Sequence, residues 1–440
     1  ETRRMFDKRE LRRRHRAIFD RQLALWRSQR TGSPPSVEAS RVRVCVRKRP
    51  LFDHERADEF DVISVRGGTE VVVHNCLTRA DLRSLFVCHM GFHFAHAFGE
   101  AAEDDEVYRS CSAPAVQHVL GGGVATLFMF GQTGSGKTHT MAGLLERAAV
   151  DLVAEEVTLV AFEIAGRAIR DLLGSGELRV LEDQEHRTRV LGASSQRAAS
   201  PEALLGLIRG AQAHRATRAT QVNDTSSRSH AVYRIYRGGE GPGSPVLTLV
   251  DCAGSERRED STHHDAQTRK DAAEINSTIF ALKECFRVMR SSRGQPPYRE
   301  SLLTRVLSES FSSDRALIVA IGTVSPSAAD TEHSIGTLRA LQQLQGTQMA
   351  FEQREDIAKP KPAELPHPRT WSEEEVRRWV EAALGGRARH CAASLKRGTD
   401  GKNLTRWPLQ RFVMLCGGDE DLGSRLYQDL RLRQQTAGRA

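Results

Sequence analysis

The stretch "FMFGQTGSGKTHTM", Phe128 to Met141, decides the fold. Gly131, four further residues, then Gly136, Lys137 and Thr138 is the spacing of a phosphate-binding loop. The apolar run "VATLFMF" (Val124 to Phe130) reads as a strand leading into it, and a helical segment follows. Strand, loop and helix N-terminus supply what bound phosphate needs: backbone N–H groups over Gly131, Gln132, Thr133, Gly134, Ser135 and Gly136, and the positive end of a helix dipole. Lys137 then reaches the β- and γ-phosphates and Thr138 ligates Mg²⁺. The loop implies a held nucleotide and leaves its use open.

A second apolar run, "PVLTLVD", ends at Asp251 and continues into "CAGSE". An acid at the end of a strand can hold the Mg²⁺ shell, and Gly254 can turn its N–H toward a γ-phosphate. Between the two motifs lies "NDTSSRSH" (Asn223 to His230), in which Ser226 and Ser227 can ligate Mg²⁺ or orient water while Arg228 pairs with Glu256. Loop, switch and switch in this order point to a nucleotide hydrolase that changes shape when the γ-phosphate leaves. No Asn-Lys-x-Asp run follows, which argues against a guanine-reading GTPase.

The 440 residues suffice for a large α/β domain and a smaller one. Alternating strand and helix patterns run from Arg41 to Gly346. Residues 347 to 368, charged and proline-rich, read as a linker. The stretch 369 to 436 reads as a small helical domain, opened by Ser372 and Glu375 in capping-box spacing ahead of Val376, Trp379, Val380 and Leu384. The net charge of +8 is local: residues 1 to 30 hold eleven Lys or Arg against four Asp or Glu. Residues 1 to 40 are expected to form a basic helix, with Leu11, Ile18 and Leu25 seven apart, and then a linker. Such a basic cluster is usually a solvated face, but it also suits a polyanion, whether nucleic acid, anionic lipid or an acidic protein tail.

Eight scattered cysteines fit reduced thiols, and "CHMGFHFAH" (Cys88 to His96) alternates as a strand rather than a zinc site. The apolar runs are too short to span a bilayer, so an intracellular, soluble chain is expected, with neither a membrane nor nucleic acid as partner. A start at Glu1 rather than Met is expected of an excised piece.

"GQTGSGKTHTM", "NDTSSRSH" and "LVDCAGSER" closely resemble the phosphate loop, first switch and second switch of the kinesin motor domain. The resemblance covers Arg41 to Gly346, including "EINSTIFALKEC", "PYRESLLTRVL" and "VSPSAADTEHSIGTLR". It implies an α/β P-loop NTPase fold with a central mixed sheet flanked by helices, ATP or ADP with Mg²⁺ as ligands, and a microtubule-stimulated ATPase of the cytoplasmic cytoskeleton. By position, Arg47 and Pro50 match the adenine-contacting pair and His139 the histidine beside the loop. Ser226 and Ser227 fall on the water and metal side, with Thr138, Ser227 and Asp251 about the metal. Arg228 with Glu256 matches the closing salt bridge, and Gly254 the γ-phosphate sensor.

"VRVCVRKRPL" and "ALKECFR" look like the internal-motor kinesin-13 class, which removes tubulin from microtubule ends, and a basic neck before the motor fits that class. Where that class carries a Lys-Val-Asp loop tip, this chain reads Arg79, Ala80, Asp81. Lys283, Arg287, Arg299 and Arg305, with Arg79 and Asp81, are the implied microtubule contacts. Departures are Ser277 and Leu302 where the family usually has Lys, and Gly336 and Ala340 where it has Asn and Tyr. The C-terminal stretch resembles a sterile alpha motif (SAM) domain, with Trp371, Trp379, Leu404, Leu409, Phe412 and Leu426 as its core, and implies a SAM-domain partner or self-association. Three readings stand together: a depolymerase, a translocating kinesin with an altered loop tip, or a tether acting through the SAM-like domain.

Overall fold

In the computed structural model the described residues are 7–29, 41–79, 84–183, 188–221, 229–241, 243–254, 266–291, 294–357 and 367–437. The chain divides into two units, Glu1–Ile357 and Ala358–Ala440.

In the larger unit the strand Val124–Phe130 is buried at every position and lies between two parallel neighbours, Val246–Asp251 and Ala316–Val324. Outward on one side the sheet continues antiparallel through His230–Arg237 and Val157–Ala165 to Ser195–Ala198. On the other it continues parallel through Val42–Lys48 to His96–Phe98. The mixed central sheet expected from the sequence is therefore present. A parallel strand covered on both faces must be apolar throughout, which explains the unbroken "VATLFMF".

Side chains leave this strand alternately. Leu127 and Met129 share one core with Met141, Leu144 and Leu145 of the helix Lys137–Leu152. Phe128 meets Phe286 at 5.5 Å and Phe311 at 6.5 Å in the core on the opposite face. Helices thus cover both faces and leave the carboxyl edge of the parallel strands open, where an α/β sheet binds ligands.

A second sheet pairs Ile63–Arg66, Glu70–Thr78 and Leu85–His93 in antiparallel order. It holds the strand histidines His89 and His93. Its fourth strand, Phe351–Asp356, corrects the expected linker: these residues pair antiparallel with Leu85–His93. The strand is an edge, mostly exposed and charged, so it lacks the apolar alternation that marks a strand in sequence. Gly91 makes room for it, because a Cβ there would sit 2.2 Å from the Phe351 ring.

The N-terminal helix breaks at His15 into Lys8–Arg14 and Arg16–Gln29. Its buried face is not the expected seam. Ile18 and Leu25 are 38% and 46% exposed, whereas Arg12, Phe19, Leu23 and Trp26 are buried. Phe19 and Leu23 join the core beneath the small sheet.

Part of the basic cluster is also spent on the head itself. Arg12, 1% exposed, places all five donors: Nε on Cys76 O, Nη1 on Ala328 O and Glu332 Oε2, Nη2 on Asn75 Oδ1 and Glu332 Oε1. Arg13 donates to Glu59 at 2.7 Å, and Arg9 to Ala329 O at 3.1 Å.

The smaller unit is a helical bundle. Ser372 and Glu375 close the capping box of the helix Glu373–Ala382, whose Val376, Trp379 and Val380 are buried with Trp371, Leu404, Phe412 and Leu426. Leu409, expected in this core, opens the helix Leu409–Leu415 on its outer side and is 41% exposed. Among the described residues no helix is long and apolar enough to cross a membrane.

Replacing Arg12 by Ala strands two carbonyls and a carboxylate; denaturant unfolding is expected to show a loss of about 2 kcal/mol. Hydrogen exchange should place the opening in residues 8–29, and unchanged protection there would contradict the docking geometry.

Candidate nucleotide site

The loop leaves the central strand at Gly131, whose φ of +147° belongs to glycine. Space enforces the same choice: a Cβ there would lie 2.5 Å from both Ser135 Oγ and Thr323 Oγ1. Ser135 is buried, bonding to Gln132 O and to Thr323 Oγ1, each at 2.7 Å. Its side chain therefore braces the loop from behind and leaves ligand contact to its backbone. Gly136, at φ +99°, caps the helix Lys137–Leu152 and aims that helix's free N–H groups into the loop.

Lys137 Nζ donates to Gly131 O at 2.8 Å and Gln132 O at 2.9 Å, so its charge sits inside the loop's curve. Thr133, Gly134, Thr138 and His139 are exposed at the mouth.

Facing the loop across the sheet edge is a buried polar cluster. Asp251 ends its strand level with Met129, and its Oδ2 accepts from Arg215 Nη1 at 2.7 Å. Arg215 Nη2 also donates to Ser229 O at 2.8 Å, and its Nε lies 3.4 Å from Glu163 Oε1. Ser229 Oγ donates to that same Glu163 oxygen at 2.5 Å. Burial opposes the charge on Arg215, but Asp251 and Glu163 outweigh it and raise its pKa.

His230 Nδ1 accepts from Ala253 N–H at 3.1 Å. Burial, and then Arg215, hold this histidine's pKa down to about 4, so it is neutral and can keep accepting. Because the folded value lies below the ordinary one, its contribution to stability is full above about pH 6.5 and is lost as pH falls toward 4.

Two buried oxygens at this edge have no hydrogen-bond partner among the described residues: Asp251 Oδ1 and Gln132 Oε1. These and the exposed Thr138 hydroxyl are hard-oxygen donors of the type Mg²⁺ takes, on segments that also carry a lysine and a helix N-terminus suited to phosphate. The residues present fit a Mg-nucleotide. Gly254 closes the described segment after Asp251, while Ser226, Ser227, Arg228 and Glu256 lie outside the described residues.

Of the expected base-contacting pair, Pro50 is exposed, but Arg47 is turned inward. It donates to Asp104 Oδ1 at 2.6 Å, Ala102 O at 3.1 Å and Thr140 Oγ1 at 3.3 Å. Arg49, which the sequence reading passed over, lies beside the loop, where its Cβ would be 3.8 Å from a Cβ added at Gly136. It is fixed bidentately by Glu55 at 2.6 and 2.7 Å, bonds to Ser325 Oγ at 2.9 Å and stacks over Phe52 at 4.3 Å. The signal was the second arginine of "RKRP". Arg215 and Glu163 carried none, being single charges in unremarkable runs that only the fold brings together.

The expected filament contacts are dispersed over neighbouring elements. Lys283 and Arg287 stand one turn apart on the helix Ala266–Ser291, which packs against the segments holding Arg299 and Arg305. Arg287 pairs with Glu284 at 2.8 Å, and Arg299 pairs with Glu182. Leu302 packs partly against the core, and Ser277 is exposed. Arg79 forks onto Asp356 at 2.6 and 2.8 Å, while Ala80 and Asp81 lie outside the described residues.

A family description, kinesin motor domain, matches residues 47–345. "Diatom spindle kinesin-1" of Cylindrotheca fusiformis is 36% identical over 324 residues, covering 70% of this chain and 51% of that protein. The human "Kinesin-like protein KIF24" is 37% identical over 324 residues, covering 69% of this chain and 24% of that protein. The chain thus spans about half the length of the first relative and about a quarter of the second. A solved structure entitled "Structure of a fast kinesin: Implications for ATPase mechanism and interactions with microtubules" superposes with a TM-score of 0.59 at 26% identity. That superposition covers 74% of this chain and 96% of the solved one.

Gly131→Ala should fail the loop twice, by backbone conformation and by collision with Ser135 and Thr323. Titration with a fluorescent ADP is expected to show affinity reduced about tenfold or more, roughly 1.4 kcal/mol or above; wild-type affinity would refute this loop geometry.

Proposed function

The chain belongs to the kinesin motor family, a family of microtubule-stimulated ATPases, and from that premise we propose that it is an ATP-driven microtubule depolymerase. The observation that carries the ATPase reading is the sheet edge, where the phosphate loop and Asp251 face each other with unpartnered oxygens between them. Mg²⁺, when bound, supplies charge neutralisation across the β- and γ-phosphates. Lys137 and Thr138 hold that end of the nucleotide, with Asp251 Oδ1 toward the metal shell. Arg49 and Pro50, with His139, bound the base side.

Arg215 clamps Asp251 from behind and ties it to Glu163 and Ser229, so the strand ends flanking the two switch segments share one buried charge network. Ser226 and Ser227 are proposed to orient water and metal, Gly254 to sense the γ-phosphate, and Arg228 with Glu256 to close the site. Loss of either member of that last pair would leave nucleotide binding and impair hydrolysis.

Support for end-depolymerisation comes from the "VRVCVRKRPL" and "ALKECFR" signatures and from a neck helix that is built into the head. Lys283, Arg287, Arg299 and Arg305 are the proposed filament contacts, on the microtubule cytoskeleton. Tubulin's acidic surface would be held largely by charge, so binding should weaken with salt. The bundle of residues 369–436 is proposed to be SAM-like, acting through a SAM-domain partner or self-association. Its buried Trp371, Trp379, Leu404, Phe412 and Leu426 support that reading. A translocating kinesin is the second reading, favoured by Arg79, whose guanidinium is engaged by Asp356.

Single stabilised microtubules incubated with the protein and ATP decide between these. Shortening from the ends is expected; directed gliding supports the second reading, and ATP-insensitive decoration without shortening or gliding would overturn both.

A further inference from the structure

We propose that the neck helix is fastened to the head by a pH-sensitive latch, a one-directional hydrogen-bond chain through two buried histidines that stays closed only while both are neutral. The chain begins on the helix Arg16–Gln29. Arg27 Nε donates to Ser64 Oγ at 3.0 Å. Ser64 Oγ lies 2.8 Å from His74 Nε2, His74 Nδ1 lies 2.8 Å from His89 Nδ1, and His89 Nε2 lies 3.2 Å from Glu355 Oε2. The same helix returns at the far end, where Gln22 Nε2 bonds to Glu355 Oε1. Both rings are fully buried, and Trp26 of the neck covers them, stacked on His89 at 5.1 Å and edge-on to His74 at 4.5 Å.

Chemistry fixes every proton. Ionised Glu355 only accepts, so His89 carries its hydrogen on Nε2 and offers a bare Nδ1. His74 must then donate from Nδ1 and accept at Nε2, which leaves the Ser64 hydroxyl as donor. A second proton on His89 would point at the Nδ1–H of His74 across 2.8 Å, or drive that hydrogen to Nε2, toward Ser64 and the Arg27 cation.

A second proton on His74 would sit against Ser64 Oγ, the oxygen that already holds the Arg27 guanidinium, and so beside a fixed positive charge. The charges around the rings also oppose it. Arg27 on the neck and Lys48 on the strand Val42–Lys48 are cationic, and Arg66 lies over Trp26 at 5.8 Å. Among the acids nearby, Asp61 and Glu100 are taken by Lys48 and Glu70 by Arg66, leaving Glu355 alone on the pair. Burial, then His89, Arg27 and Lys48, hold His74 well below the ordinary histidine range.

The folded value of His74 is lowered, so its contribution to docking is full above about pH 6.5 and is lost as pH falls below it, by up to tenfold per pH unit. Undocking frees the His74 ring to protonate. The device is independent of whether the head shortens filaments or walks along them.

The full chain labelled with 5-fluorotryptophan tests this, since Trp371, Trp379 and Trp407 lie in the smaller unit and Trp26 alone reports the neck. Between about pH 7.5 and about pH 5.5 the ¹⁹F signal of Trp26, assigned with Trp26→Phe, should move to the solvent-exposed position while the other three stay. In His74→Gln/His89→Gln it should cease to follow pH. The proposal fails if the wild-type Trp26 signal is flat, if all four signals move together, or if the double variant follows the wild-type curve. Should that variant not fold, the wild-type contrast between Trp26 and the other three decides.

Discussion

A pair of buried hydroxyls, Ser135 Oγ on Thr323 Oγ1, holds the phosphate loop to the strand beside it, and much of the head is arranged around that contact. It leaves no room for a side chain at Gly131 and sets the curve that Lys137 fills. The strand carrying Thr323 then runs out of the sheet through Ser325, which holds Arg49, and Ser327, which holds Glu59. Glu59 takes Arg13, while Ala328, Ala329 and Glu332 take Arg12 and Arg9. Ten residues thus connect the wall of the nucleotide site to the seat of the neck helix. Both ends rest on buried, satisfied polar groups, which are costly to break one partner at a time.

The charge distribution has two separate uses. A basic N-terminal segment suggests a surface awaiting an acidic partner, yet Arg9, Arg12, Arg13 and Arg27 are bound to carbonyls, carboxylates and a serine of the head. Their positive charge glues the neck on. The cations proposed as filament contacts lie instead on the helix Ala266–Ser291 and the segments beside it, where exposed pairs such as Arg287 with Glu284 hold one another only weakly and can exchange partners.

What was legible in the sequence follows from physical type. The phosphate loop was, because Gly131, Gly136, Lys137 and Thr138 must keep fixed spacing to fold around phosphate. So was the capping box at Ser372 and Glu375, a local interaction over three residues. The neck seam was misread because periodicity scores an arginine as polar, while Arg12 is buried by virtue of five acceptors supplied from distant parts of the chain. The strand Phe351–Asp356 was missed because an edge strand in charged residues has backbone pairing without apolar alternation. Arg215, on the helix Pro201–Gln221, meets Glu163 only through the packing of helix on sheet, and His74 meets His89 across paired strands, so no local pattern could announce them.

Chemistry at this sheet edge is proposed to govern grip on a filament. Co-sedimentation with microtubules, measured in ADP and again with a non-hydrolysable ATP analogue, tests it most directly. Markedly tighter binding in one nucleotide state than in the other is predicted, and equal affinity in both would contradict it.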